Sequence, residues 1–192
     1  ATASLVLEEV TARDESGAVV GAGAKPGAGG AMAADGPPTT HSGTGTDRIM
    51  FAPGGITRDT TRFVNGTPVG ARDIFNLDQS VGSGRGFPIY NRFAAESTRF
   101  VQLRPESQKT NRPPPVAVVH VKAGHILGNC AAYDAFVLGG PHSCRGYNVG
   151  ELGASRSFLE YAAELRVPVP YLNTHAFALY EGYPDLGSSP TL

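Results

Sequence analysis

Residues 157–167 read Ser-Phe-Leu-Glu-Tyr-Ala-Ala-Glu-Leu-Arg-Val, and their order decides the fold. Leu159, Tyr161, Ala163, Leu165 and Val167 alternate with Phe158, Glu160, Ala162, Glu164 and Arg166. A helix would scatter these charges around its axis, whereas an extended chain sorts them, because successive side chains point to opposite faces. The segment is therefore a β-strand with one apolar and one ionic face. Segment 116–125 repeats the pattern, with Ala117, Val119, Val121 and Ala123 opposing Val118, His120 and Lys122. Segment 69–81 is a third case: Phe75, Leu77 and Val81 stand against Arg72, Asn76 and Asp78, and Asp73 and Ile74 break the rule.

Position adds strands at 3–13, 91–104 and 173–181, and another at 46–58, where Pro53-Gly54-Gly55 predicts a bulge. The result is an all-β chain of about seven strands in an antiparallel meander. The connections at 59–68, 105–114 and 168–172 are short, and those at 14–45 and 128–156 are long. The 14–45 segment is rich in Gly, Ala and Pro and is expected to be a flexible low-complexity loop. Long loops on one side and short turns on the other is the asymmetry of an outer-membrane barrel. His120, Lys122, Glu160 and Arg166 recur where a small soluble core would demand apolar residues, so they are expected to face a water-filled lumen. The alternative is a soluble β-rich binding module, which also alternates. Seven strands do not close comfortably, since small barrels begin at ~8. Part of a larger transmembrane β-barrel is expected, completed by strands outside these residues and bounded by lipid.

Composition narrows the functional classes. Sixteen basic against 17 acidic residues leave a formal charge of −1, which excludes a basic nucleic-acid footprint. No apolar run approaches the ~18 residues of a spanning helix. The chain opens on Ala1, with no signal or transit peptide expected at its start. No Ser/His/Asp set carries a nucleophile signature, so no enzyme activity and no cofactor are expected. His120, His125, Cys130, His142 and Cys144 match no closed metal spacing, and free thiols are the expected state of the two cysteines. Asn65-Gly66 reads as a turn rather than a modified sequon, and Gly82-Ser83-Gly84-Arg85-Gly86 as a loop between strands.

Residues 133–168 hold Leu138-Gly139-Gly140, then Cys144-Arg145-Gly146-Tyr147, then Ala163-Glu164-Leu165-Arg166-Val167-Pro168 on a strand. This combination resembles the outer-membrane-protein eighty-five superfamily, whose signature is a Val/Ile-Arg-Gly-Phe/Tyr tetrapeptide on a loop that folds back into the barrel lumen. Cys144 departs from the usual first residue. LEEVTARDESG, DGPPTTHSGTGTDRI, ITRDTTRFVNG, PPPVAVVHV and GGPHSCRGYNVGELGASR occur in the order found in the chloroplast translocon branch of that superfamily.

The resemblance implies that residues 1–192 are later strands of the barrel, in the carboxyl-terminal part, and that 128–156 is the motif-bearing loop. It implies a location in the chloroplast outer envelope and a role in conducting unfolded precursors that carry transit peptides. Receptor GTPases and other translocon subunits are the implied partners. A barrel-assembly insertase of the same superfamily is the alternative. It also implies that Arg145 is held in the lumen by an acid, Glu164 or Asp185, while Gly139, Gly140, Gly146 and Tyr147 shape the loop. Elementary electrostatics agrees, because a buried guanidinium needs a carboxylate and prefers to grip it with two hydrogen bonds. The spacing around Asp185 is longer than the family's, which leaves the register there open.

Overall fold

A computed structural model describes residues 4–23, 25–26, 32–33, 36, 38–82, 87–104, 113–140, 146–169 and 174–182. The strands are β1 (Val6–Thr11), β2 (Lys25–Pro26), β3 (Met32–Ala33), β4 (Thr46–Asp59), β5 (Arg62–Val64) and β6 (Thr67–Ser80). They continue as β7 (Tyr90–Gln102), β8 (Val116–Gly128), β9 (Phe136–Leu138), β10 (Gly153–Ser155), β11 (Ser157–Pro168) and β12 (His175–Gly182). The main sheet runs β1-β4-β6-β7-β8-β11-β12, every neighbour antiparallel, with β5 also on β6. This is the seven-strand meander that alternation and position predict. Among the described residues, β1 and β12 each have a single strand neighbour, so the sheet is open.

The paired strands place Thr11, Thr46, Ser80, Tyr90, Gly128 and Ser157 at one end of the sheet. Both long connections, 12–45 and 129–156, leave from that end. The hairpin turn at Asn65-Gly66 and the strand ends Gln102, Val116, Pro168 and His175 lie at the other end. β7 and β8 have 13 residues each. At a rise of about 3.3 Å and a tilt of about 40–45°, such strands cross about 30 Å, the thickness of a hydrocarbon core. Among the described residues, no helix is long and apolar enough to cross a membrane, which says nothing of strands.

Two expectations need correction. Pro53-Gly54-Gly55 makes no bulge: Phe51↔Ser80, Pro53↔Asp78, Gly55↔Asn76 and Asp59↔Arg72 keep one unbroken register. The physical reason is position. β1 pairs with β4 only as far as Phe51, so Pro53 sits where β4 has become an edge and its missing N–H costs no second ladder. The connection expected at 59–68 is itself mostly strand. β5 extends β4 in the same register (Arg62↔Val69, Val64↔Thr67), and Thr60 N–H donates to the Ala71 carbonyl at 2.8 Å between them. Asn65 (φ 48°) and Gly66 (φ 79°) close the two-residue turn, as Asn-Gly predicts, because both central residues of that turn need positive φ.

The first long connection carries the β2–β3 pair and isolated bridges Arg13↔Val19 and Ala22↔Pro38. In the second, a single 3₁₀ turn (Ala132–Asp134) leads into a β9–β10 hairpin. Residues 83–86 lie outside the described residues.

Candidate functional site: the ionic face and the connection packed on it

Register sorts the side chains of the sheet into two faces. Lys122 stands between Glu96 on β7 and Glu160 on β11, and His120 between Thr98 and Ala162. Arg166 lies across from Val116 in the same set, so His120, Lys122, Glu160 and Arg166 share one face. His125 falls on the opposite face. Glu160 is buried, and Glu164 takes Arg166 through two hydrogen bonds, Nε to Oε1 at 2.9 Å and Nη2 to Oε2 at 3.3 Å. Thr98 Oγ1 lies 2.9 Å from His120 Nδ1.

The Cys130–Leu138 stretch of the second long connection lies against this ionic face. Phe136 meets the Phe158 ring at 4.6 Å and an interplanar angle of 59°, a tilted contact worth about 0.5–1.5 kcal/mol beyond its buried area. Ile49, Tyr90, Ile126 and Leu138 complete the buried cluster around the pair. Gly124, paired with Phe158 across the β8–β11 ladder, makes this possible. A Cβ at Gly124 would collide with the Phe158 ring and stand 2.9 Å from Phe136 Cζ. Arg92 lies 4.8 Å above the Phe136 ring, and Lys122 5.5 Å above that of Phe158. The ionic face thus meets the connection through one cation–π contact, Arg92 on Phe136, as well as through apolar burial.

Polar anchors flank the ring pair. Asp134 accepts the Tyr90 hydroxyl at 2.8 Å and sits 4.0 Å from Arg92. Tyr133 donates its hydroxyl to Asp47 at 2.9 Å. The Asp47 carboxylate, 1% exposed, also accepts backbone N–H groups of His41 (2.6 Å) and Ser42 (2.9 Å). One buried carboxylate therefore fastens both long connections to the start of β4. Burial, and then the hydrogen bond to Asp47, push the Tyr133 phenol well above the ordinary tyrosine range. Burial and then Asp134 push the Cys130 thiol up to about 11. That thiol is free and donates to the Ala131 carbonyl at 3.2 Å.

Of the sequence-derived residues, Gly139 (φ 94°) and Gly140 (φ 113°) are buried just after β9, and both adopt the conformation that favours glycine. A Cβ on Gly139 would stand 2.7 Å from the Asn148 carbonyl oxygen. Gly146 (φ 97°) and Tyr147 are exposed. Arg145 and Asp185 lie outside the described residues, as do His142 and Cys144. The stretch Tyr133–Phe136 was not singled out from sequence, although it supplies the anchors. Its partners Asp47 and Tyr90 are 86 and 44 positions away, and no local pattern in the sequence marks it. Among the described residues, no group of three His, Cys, Asp or Glu side chains is placed to hold a metal ion.

An open antiparallel sheet, ionic on one face, apolar on the other, with a long connection folded onto the ionic face, is a segment of outer-membrane β-barrel wall. Residues 2–187 match the Omp85 superfamily domain, and the chain belongs to that superfamily. It is 51% identical over 189 residues to protein TOC75-3, chloroplastic, of Arabidopsis thaliana, and 50% identical over 189 residues to protein TOC75, chloroplastic, of Pisum sativum. Protein TOC75-4, chloroplastic, of Arabidopsis thaliana is 44% identical over 189 residues. Each match covers 98% of this chain. The chain spans 23% of the length of the first two relatives and 47% of the third.

Proposed function

We propose that this chain forms part of the wall of a protein-conducting channel in the chloroplast outer envelope, through which unfolded precursors with transit peptides pass. The observation that supports it most directly is the Phe136–Phe158 contact, which sets a long connection on the ionic face rather than in solvent. Ionic side chains on that face solvate an extended polypeptide without gripping any one sequence. The connection narrows the bore and organises it. Arg145 is the basic hook of this loop and Glu164 or Asp185 its acid, with Gly139, Gly140 and Gly146 letting the backbone turn towards the wall and Tyr147 completing the motif. Receptor GTPases and other translocon subunits are the partners this role requires, and no chemical step is assigned to it.

Two measurements test the proposal. Arg145→Ala is expected to expose residues 140–150 to protease and to lower precursor import. Unchanged cleavage and unchanged import together would remove the hook from the mechanism. Site-specific photocrosslinkers at His120 and Arg166 are expected to capture transit-peptide precursors in transit. Capture of nascent barrel strands instead would assign the chain to an insertase.

A further inference from the structure

The outer face of the sheet is uneven, and one unevenness has a shape and a charge. On neighbouring strands, Ile56, Phe75, Ala95 and Ala123 form one cross-strand row, and Arg58, Asp73, Ser97 and Val121 form the next. Small side chains in the middle of each row, between larger ones, leave an open trough of about 360 Å³. Ala95, Ser97 and Ala123 make its floor. Ile56 and Phe75 stand on one side, Val121 on the other, and the Phe93–His125 ring pair, at 5.8 Å, lies in the row above. Apart from its charged lower rim, the lining is almost wholly apolar.

That rim is basic. Arg58 pairs across the ladder with Asp73, and Arg99 lies one row further towards the turn end. Asp73 accepts Arg99 Nη1 at 2.7 Å and Ser97 Oγ at 3.0 Å, which fixes the Arg99 guanidinium against the wall. Two guanidinium groups against one carboxylate leave a surplus of one positive charge. On β4 the outer-face residues between Arg48 and Arg58 are Met50, Ala52, Gly54 and Ile56, none of them charged, and this ten-residue interval matches the roughly 9–11 residues that a tilted strand needs to cross the hydrocarbon, which sets Arg58 and its neighbour Arg99 at one boundary of the apolar band. An apolar furrow running into the membrane from a single net positive charge at the interface complements an acyl chain carrying a phosphodiester. We propose that this trough seats one anionic glycerophospholipid, its acyl chain over Ala95 and Ala123 and its phosphate between Arg58 and Arg99. The proposal rests on the reading that this face meets lipid.

The test is native mass spectrometry of the full-length protein released from bilayers of phosphatidylcholine doped with phosphatidylglycerol. Carbonate extraction beforehand reports whether each variant is membrane-inserted. The unsubstituted protein is expected to retain one phosphatidylglycerol in preference to phosphatidylcholine. Arg58→Gln, which leaves the Asp73–Arg99 pair intact, is expected to reduce that preference about five-fold. Ala95→Phe, which fills the floor, is expected to abolish it. Arg48→Gln, which removes an outer-face arginine paired with Glu9 at the opposite end, is expected to change nothing. Inserted protein with no preference, or an equal loss in Arg48→Gln, overturns the lipid seat and leaves the barrel reading standing. Extraction of the unsubstituted protein into the carbonate supernatant overturns both.

Discussion

Phe158 and Tyr161 lie three residues apart on β11, and each covers a glycine of a neighbouring strand, but on opposite faces. Phe158 lies over Gly124 of β8 and Tyr161 over Gly182 of β12. On the ionic face the slot is closed by a third ring, Phe136, so that Phe158 is 4% exposed. On the apolar face Tyr161 meets the ring of Tyr180, at 6.1 Å, and Tyr180 remains 66% exposed. The same local device, an aromatic ring over a missing Cβ, thus serves two solvents. Where protein covers the ring, the slot is a docking point. Where no described residue covers it, the ring is left for lipid.

The largest test of this difference is a charge on each face. Ala123→Arg on the apolar face is expected to destabilise the membrane-folded protein by about 2–4 kcal/mol. Lys122→Gln, one residue away on the ionic face, is expected to cost less than about 1 kcal/mol. Urea unfolding in bilayers measures both, and equal effects would erase the distinction between the faces.

Next is Gly124→Val, which must push the Phe158 ring and the Phe93 carbonyl (2.9 Å from where the new Cβ would stand) out of place. A loss of about 1–3 kcal/mol and faster proteolysis within 129–156 are expected. Tyr133→Phe leaves the ring and removes one donor from the buried Asp47, at an expected cost of about 1–2 kcal/mol. Hydrogen exchange at the β4 amides would register it.

The last effect is kinetic. Raising the thiol pKa reduces the thiolate fraction below that of an ordinary cysteine at any pH under about 11, so the sign is towards protection. Maleimide labelling of Cys130 at pH 8 is expected to run about a hundred-fold slower than that of a free cysteine. Gly124→Val should narrow that gap by opening the cover.

Much of the fold was legible because period two is a strong signal when both faces must be satisfied. β11 and β8 could be read residue by residue, and the face shared by His120, Lys122, Glu160 and Arg166 follows from it. What escaped detection did so for physical reasons. β5 is three residues long, too short for any period to show, although its Asn-Gly turn was plain. Asp73 looked like a flaw in β6 because its compensation, Arg99, is on another strand and meets it only once the register is set. The anchors at Tyr133, Asp134 and Phe136 sit in a connection, where no periodicity constrains them and their partners are distant in sequence. The candidate hook is a different matter. It was read from a motif, and the glycines that precede it adopt the left-handed conformations such a loop requires.

Asp47 has a mechanical consequence. Because His41, Ser42 and Tyr133 converge on a single shielded carboxylate, neither surface excursion can be lifted off β4 without taking a donor away from the buried charge that the other also answers. Loosening one leaves the other to answer the buried charge alone, as two tongues share one keeper.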